Sequence, residues 1–276
     1  MRLALGERTY DLTTRALVMG ILNRTPDSFY DRGAYWDHDA FWRRADQMVA
    51  EGADVLDVGG VRAGPGPQVS EGEELDRVVP AIEGLHRRFD VPLSVDSWRA
   101  PVAAAAYAAG AVMGNDISGF ADAGYLAAAV AADATVVATH IRLGPRVADR
   151  EPVYDDVVGA VVAFLVERAM AAERAGIDPA RIVVDAGLDL GKTPAQSHAL
   201  LLASGRLASL GYPLLLSASN KAFLGVLLDL EVGSRREASM AAHAVGVSLG
   251  CRILRVHAVR EACRVRDVLA AVFEAA

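Results

Sequence analysis

Polar and charged side chains follow short apolar runs throughout this 276-residue sequence. The residues concerned are Asn23, Asp57, Asp96, Asn115, Asp116, His140, Asp185, Lys221, Arg255 and His257. Taken singly they indicate little, because an Asp that ends an apolar run is often a helix cap or a turn former, and we interpret Asp57 and Asp116 in that way. Gathered around one cavity, so many polar groups would be costly to bury without a ligand or mutual pairing. The combined set therefore predicts a binding site.

Two kinds of chemistry are represented in this set. One group offers acceptors and donors that suit a heterocycle with amide and amino edges, and it comprises Asp96, Asn115, Asp185 and Lys221. A second group suits a phosphate and comprises Asn23, Arg255 and His257. The Asn23 side-chain oxygen is also of the type that Mg²⁺ accepts. The sequence thus predicts a site for a polar ring that carries an anionic group.

Other kinds of site are excluded by spacing. The segment DAGLDLGKT (185–193) lacks the full spacing of a phosphate-binding P-loop, which excludes a nucleoside triphosphatase. No His/Cys cluster has the spacing of zinc ligands, and neither cysteine lies in a recognisable nucleophile setting.

The elements that must position these residues are eight short, nearly continuous apolar runs. They are 16–23, 54–60, 92–97, 111–118, 135–140, 181–187, 212–219 and 251–259. Between them lie segments with helical spacing, among them 38–53, 70–89 and 237–250. Strands that alternate with helices and read as continuous apolar runs are typical of a parallel sheet covered on both sides.

Eight such units in this length favour a single (β/α)8 TIM barrel over residues 1–276. The alternative is a doubly wound open sheet, which usually has a glycine-rich fingerprint after its first strand, and none follows Asn23. The opening RLALGERTYDLT alternates around Gly6–Glu7 and predicts a short N-terminal β-hairpin that plugs the barrel floor.

Composition and charge limit the class of protein. The chain is 53% hydrophobic and 23% charged, with a net charge of −7, so a disordered chain or a nucleic-acid binder with a basic face is not expected. No apolar stretch reaches the ~18 residues of a membrane span. The charged opening MRLALGERTYDLT is unlike a signal peptide, and two cysteines, Cys251 and Cys263, make no disulfide framework. We expect a cytoplasmic protein.

Six segments in order carry a specific resemblance over essentially the whole chain. They are MGILNRTPDSFYDRG (19–33), GADVLDVGG (52–60), SVDSWRAPVAAAAYAAGAVMGNDISG (94–119), VVDAGLDLGKT (183–193), SASNKAFLG (217–225) and RVHAV (255–259). The chain resembles the dihydropteroate synthases of folate biosynthesis. The resemblance implies a homodimeric (β/α)8 barrel that joins 6-hydroxymethyl-7,8-dihydropterin diphosphate to p-aminobenzoate, with Mg²⁺ as cofactor and release of diphosphate.

The resemblance also implies roles for individual residues. Pterin binding would fall to Asp96, Asn115, Asp185 and Lys221. Diphosphate binding would fall to Asn23, Arg255 and His257, with Asn23 also near the metal. Asp31, Asp185 and Lys221 are the residues expected to take part in catalysis.

Departures from the family pattern concentrate where p-aminobenzoate would bind. GGVRAGPG replaces the family's GGESTRPG, so that Ala63 and Gly64 occupy the positions of the family's Thr and Arg. Arg62 lies two positions before the place of the family's Arg. Leu190 replaces a Phe, and Asn220 replaces the Arg of an SRK motif. Asp189 and Ser217 stand where the family has Gly.

Three hypotheses follow. The chain is a working synthase with an altered acceptor pocket, or a divergent paralogue that keeps the pterin and diphosphate site. Such a paralogue would be inactive, serve in binding or regulation, or use another amine. The third, a methyltransferase-type pterin-binding module, is disfavoured because such modules are expected beside a corrinoid or other partner domain. Residues 62–64, 190 and 220 discriminate between the first two.

Overall fold

Eight strands pair in parallel and close on themselves in a computed structural model that describes residues 1–24 and 38–275. The barrel strands are β3 (Leu17–Asn23), β4 (Val55–Gly59), β5 (Leu93–Asp96), β6 (Met113–Asp116), β7 (Thr135–Thr139), β8 (Ile182–Asp185), β9 (Leu214–Leu216) and β10 (Cys251–Val256). They are ordered as in the sequence, and β10 closes the barrel by pairing with both β9 and β3. All eight predicted strands are confirmed, and the open-sheet alternative is wrong.

Helices follow the strands and cover the outside of the barrel. They are α1 (His38–Ala50), α2 (Glu71–Arg88), α3 (Ala100–Ala108), α4 (Tyr125–Ala131), α5 (Val157–Ala175), α6 (Pro194–Leu202), α7 (Ser204–Ala208), α8 (Ala222–Leu228), α9 (Arg236–Ser248) and α10 (Val259–Glu274), with 3-10 turns at Pro179–Arg181 and Val232–Ser234. Over the described ranges, no helix combines the length and apolar character needed to cross a bilayer.

The predicted hairpin is also confirmed. Strands β1 (Arg2–Leu5) and β2 (Arg8–Asp11) pair antiparallel, and the fully buried side chains of Leu3, Leu5 and Leu12 belong to a separate apolar cluster. The rest of that cluster comes from the barrel strands, namely Leu17, Met19, Val55, Met113, Val137, Val183, Leu215 and Ile253. The hairpin therefore fills the barrel floor, opposite the end where the polar residues lie.

The start of α6 is fixed by its own sequence. The Thr193 hydroxyl accepts from the Gln196 backbone N–H at 3.2 Å, and the Gln196 side-chain oxygen accepts from the Thr193 N–H at 2.8 Å. This reciprocal pair satisfies two N–H groups that a helix start leaves without partners, and Pro194 fits the first helical position. It anchors the end of the β8–α6 loop, which carries several residues of the site.

Candidate functional site

The polar residues lie on the same inward-facing rows as the apolar residues of the floor. Side chains alternate along a strand, so residues two or four positions beyond an inward-facing floor residue also point inward. Five pairs of residues face inward on the same strand, each with the floor residue first: Met19 and Asn23, Val55 and Asp57, Met113 and Asn115, Val183 and Asp185, and Ile253 and Arg255. The strand period places all five polar side chains at the carboxyl ends of the barrel strands, where barrel enzymes carry their active sites.

Arg255 is the centre of a buried charged network. Its Nε donates to Asp57 Oδ2 and its Nη2 donates to Asp96 Oδ2, each at 2.6 Å. Asp57 also accepts from the Ser94 hydroxyl at 2.6 Å and from Asn115 Nδ2 at 3.1 Å. Burial raises the pKa of the Asp96 carboxyl, and the Arg255 charge opposes that rise. The network joins four strands and fixes Arg255, Asp96 and Asn115 relative to one another.

An inner pocket of about 50 Å³ lies beside this network. Its lining brings together Asp96, Asn115, Asp185, Lys221 and Arg255. Asp185 Oδ1 accepts from the Gly187 N–H at 2.8 Å, and Gly187 has a φ of 64°, where a Cβ would lie 2.0 Å from the His140 carbonyl oxygen. Burial raises the pKa of Asp185, while the Gly187 N–H and the Lys221 charge lower it. The four residues predicted for the heterocycle thus share one pocket.

A larger outer cavity of about 300 Å³ adjoins the inner pocket and shares Asp96, Lys221 and Arg255 with its lining. Its lining includes the three residues predicted for the phosphate, Asn23, Arg255 and His257. His257 Nδ1 lies 2.9 Å from the Ser219 hydroxyl, and burial together with the Arg255 charge lowers the pKa of His257 to about 3. The imidazole is therefore neutral at pH 7, and it would meet an anion as an N–H donor without a charge.

The residues that depart from the family pattern occupy the wall of the outer cavity, with one exception. Arg62, Ala63, Gly64 and Leu190 all line it. Arg146 stabilises the segment 62–64, because its backbone N–H donates to the Ala63 carbonyl at 3.1 Å and its Nη1 donates to the Arg62 carbonyl at 2.8 Å. The exception is Asn220, which is buried outside this lining with a φ of 58°, and its Nδ2 lies 3.4 Å from His257 Nδ1.

Asp57 has a larger part in the site than its sequence position indicated. We interpreted Asp57 and Asp116 as turn formers, and this is correct for Asp116, whose carboxylate accepts from the Ser118 and Phe120 N–H groups at 2.6 and 2.8 Å. It is wrong for Asp57, which is fully buried and holds Arg255. A signal was available, since Asp57 lies in phase with the inward-facing Val55.

Lys192 is a buried residue of the site that the sequence did not single out. Its buried Nζ lies 2.9 Å from His140 Nδ1 and donates to the carbonyls of Gly187 at 2.8 Å and Leu190 at 3.0 Å. Burial lowers the pKa of Lys192 to about 7, opposed by Asp185, and burial and Lys192 together lower the pKa of His140 to about 3. Lys192 therefore links the β8–α6 loop to His140, the residue that follows β7.

The residues available to a Mg²⁺ ion are few in the described ranges. Asp31 lies outside the described residues. Elsewhere in the described chain no group of three or more His, Cys, Asp and Glu side chains could hold a metal. The Asn23 oxygen lies at the cavity, beside Gly59, and Mg²⁺ is commonly held by one or two protein oxygens together with substrate phosphates. The donor set fits an ion that arrives with a diphosphate.

Comparison with known proteins agrees with this geometry. A family model described as pterin binding enzyme matches residues 19–257. A Mycobacterium leprae protein named inactive dihydropteroate synthase 2 is 42% identical over 268 residues, covering 94% of this chain and 91% of its own. The Yersinia pestis dihydropteroate synthase, solved as a sulfonamide drug complex, superposes with a TM-score of 0.95 at 36% identity and full coverage of both chains. The Xanthomonas albilineans synthase solved with 4-aminobenzoic acid gives 0.89 at 40% identity, covering 99% of this chain and 98% of its own. The chain belongs to the pterin-binding enzyme family.

Proposed function

We propose that this protein is a dihydropteroate synthase-type transferase. It binds 6-hydroxymethyl-7,8-dihydropterin diphosphate, releases diphosphate and joins the pterin to p-aminobenzoate. The observation that carries the proposal is the junction of two sites. The inner pocket has the donors and acceptors for a pterin ring, and it opens into a cavity lined by anion-binding residues.

The pterin ring fits the inner pocket by its hydrogen-bonding edges. A pterin has adjacent ring N–H and amino groups, and a carboxylate that faces both accepts two parallel hydrogen bonds. Asp185 supplies that carboxylate, held by the Gly187 N–H, and the Asn115 amide and Lys221 amine meet the other polar edges. Asp96 and Asp185 also place negative charge where the pterin becomes positive as diphosphate leaves.

The diphosphate lies in the outer cavity. Arg255 donates from Nε and Nη2 to two carboxylates, which leaves its Nη1 to donate to the diphosphate. The neutral His257 ring and the Asn23 side chain line the same cavity and contact the anion as well. A Mg²⁺ ion held by Asn23 and the diphosphate oxygens would neutralise charge on the leaving group. Asp31, which the resemblance implies takes part in catalysis, lies outside the described residues.

The transfer replaces a carbon–oxygen bond of the pterin by a carbon–nitrogen bond and releases one proton. The bond between the pterin methylene carbon and the diphosphate oxygen breaks, and the electron pair leaves with the diphosphate. The nitrogen of the aromatic amine then bonds to the methylene carbon, and the resulting ammonium gives its proton to water. The protein's main contribution to this second step is to hold the amine near the methylene carbon.

A second candidate is a divergent paralogue that keeps the pterin and diphosphate site but has lost or changed the acceptor. It is favoured by the wall of Ala63, Gly64 and Leu190, which presents no hydrogen-bonding side chain to a carboxylate. A triple variant, Ala63→Thr, Gly64→Arg and Asn220→Arg, tests it. A rise in p-aminobenzoate turnover over the parent chain supports the paralogue, and no gain removes this explanation.

Binding of the pterin half is tested by calorimetry with 6-hydroxymethyl-7,8-dihydropterin in the presence of magnesium diphosphate. Asp185→Asn should weaken binding about 10- to 100-fold, because a charge-assisted hydrogen bond contributes about 1.5–3 kcal/mol. Asp155→Asn, a change to an exposed loop residue, is the matched control and should bind as the parent does. Equal affinities for the parent and Asp185→Asn would contradict the proposed pterin site.

We also propose that the protein is a cytoplasmic homodimer that binds neither nucleic acid nor membrane. The exposed apolar side chains of α8 support the dimer, because Val226, Leu227 and Leu228 are 67%, 61% and 54% exposed on one short helix. Light scattering should give a mass twice the 29.1 kDa of the chain, and a mass of one chain would contradict the dimer.

A further inference from the structure

Asp189 holds its carboxylate in a fixed place on the cavity wall. The residue has a φ of 65° and lines the outer cavity, between β8 and α6. Its Oδ2 accepts from the Ala222 N–H at 2.6 Å and from the Phe223 N–H at 3.4 Å. Its Oδ1 accepts from the Ser197 hydroxyl at 3.3 Å, and the Ser197 oxygen in turn accepts from the Asp189 N–H at 3.1 Å. The carboxylate thus accepts from the N–H groups at the start of α8, a helix whose first residue, Ala222, also lines the cavity.

Three residues without polar side chains lie beside this carboxylate on the cavity wall. Asp189 lines the outer cavity and a neighbouring cavity of about 280 Å³, and the residues that share both linings are Ala63, Gly64 and Leu190. An aromatic ring fits such a wall. A negatively charged substituent on that ring would lie close to the Asp189 charge, and like charges at short range repel strongly where water is partly excluded.

The cations of the cavity reduce this repulsion only in part. Arg255 is already shared between Asp57 and Asp96. Lys221 and Arg62 also line the cavity, so an anion is not barred from it. The expected effect is discrimination between amines of different charge.

We propose that Asp189 selects the charge of the acceptor, disfavouring an anionic aromatic amine such as p-aminobenzoate and favouring an uncharged one such as p-aminobenzamide. This inference rests on the proposed function, because the acceptor site exists beside a bound pterin. On this inference Asp189 determines the specificity of the outer cavity, and the altered wall is suited to an uncharged aromatic amine.

The test compares the affinities of the two amines by calorimetry. Each is titrated into the full chain saturated with 6-hydroxymethyl-7,8-dihydropterin and magnesium diphosphate, a mixture with no activated pterin to react. The parent chain should bind p-aminobenzamide more tightly than p-aminobenzoate. Asp189→Asn keeps a side-chain oxygen for the Ala222 N–H and removes the charge, and it should shift the ratio of the two dissociation constants toward the benzoate by about tenfold.

The matched control is Asp229→Asn. Asp229 is an exposed residue with a φ of 52° at the other end of α8, so this variant changes the net charge equally and leaves the cavity intact. The control should leave the ratio unchanged. An unchanged ratio in Asp189→Asn, an equal shift in the control, or no binding of either amine would overturn the inference. Failure of the pterin itself to bind would instead overturn the proposed function.

Discussion

Removing the charge of Asp57 should destabilise the whole site, and the size of the effect follows from its contacts. Asp57 is fully buried and accepts from Arg255 Nε and the Ser94 hydroxyl, both at 2.6 Å, and from Asn115 Nδ2 at 3.1 Å. Asp57→Asn keeps the shape and one acceptor oxygen but leaves Arg255 with a single carboxylate. Breaking a buried ion pair by removing one partner costs about 3–5 kcal/mol, and the retained oxygen favours the lower end of that range.

A loss of about 3 kcal/mol corresponds to a fall of about 6–12 °C in the melting temperature of a chain of this size. Calorimetric melting of the parent and Asp57→Asn measures it. Asp90→Asn is the matched control, because it breaks another Asp–Arg pair, with Arg8, in which the Asp90 side chain is 97% exposed. The Asp90→Asn variant should have the same melting temperature as the parent, because an exposed ion pair contributes little to stability. Equal melting of Asp57→Asn and Asp90→Asn would refute the view that Asp57 holds the network together.

Two further predictions concern a buried lysine and the barrel floor. The pKa of Lys192 is lowered from 10.5 to about 7, so the unfolded chain binds an extra proton between these values, and stability should rise with pH across that window. Urea unfolding at pH 7 and pH 9.5 should show this gain in the parent and a smaller gain in Lys192→Met, and equal gains would contradict the assigned cause. Leu3→Ala should cost about 2–5 kcal/mol in urea unfolding, because Leu3 is fully buried in the floor, whereas Leu143→Ala, at a 54% exposed position, should cost far less. Equal losses of unfolding free energy in the two variants would contradict the conclusion that the hairpin fills the barrel floor.

Much of the fold could be predicted because its signal is local. Each barrel strand is a short apolar run with a turn after it, and several strands carry a polar residue at or near the carboxyl end, as Asn115 and Asp185 show. Parallel closure then brings those ends together without any further information about distant contacts. The two sets of residues predicted for the ring and the phosphate accordingly meet in connected cavities.

The remainder depends on contacts between distant parts of the chain. Asp57 and Arg255 are 198 positions apart, and a lone Asp after apolar residues has the same local pattern whether it forms a turn or an ion pair. The Asp189 carboxylate reaches the Ala222 N–H 33 positions away through a left-handed backbone conformation, which composition and periodicity do not reveal. Asn220 likewise has a positive φ, and its Nδ2 lies 3.4 Å from the ring of His257, 37 positions away, a contact that no local pattern predicts.

The central claim is that this chain binds dihydropterin diphosphate and transfers its pterin, and one chromatographic assay tests it most directly. The purified full chain is incubated with 6-hydroxymethyl-7,8-dihydropterin diphosphate, Mg²⁺ and p-aminobenzoate, and dihydropteroate and free diphosphate are followed together. A steady, enzyme-dependent formation of both products is the result that we predict. Diphosphate release without dihydropteroate would leave the pterin half intact and show that the acceptor is another amine. Neither product, from folded chain, would contradict the transferase.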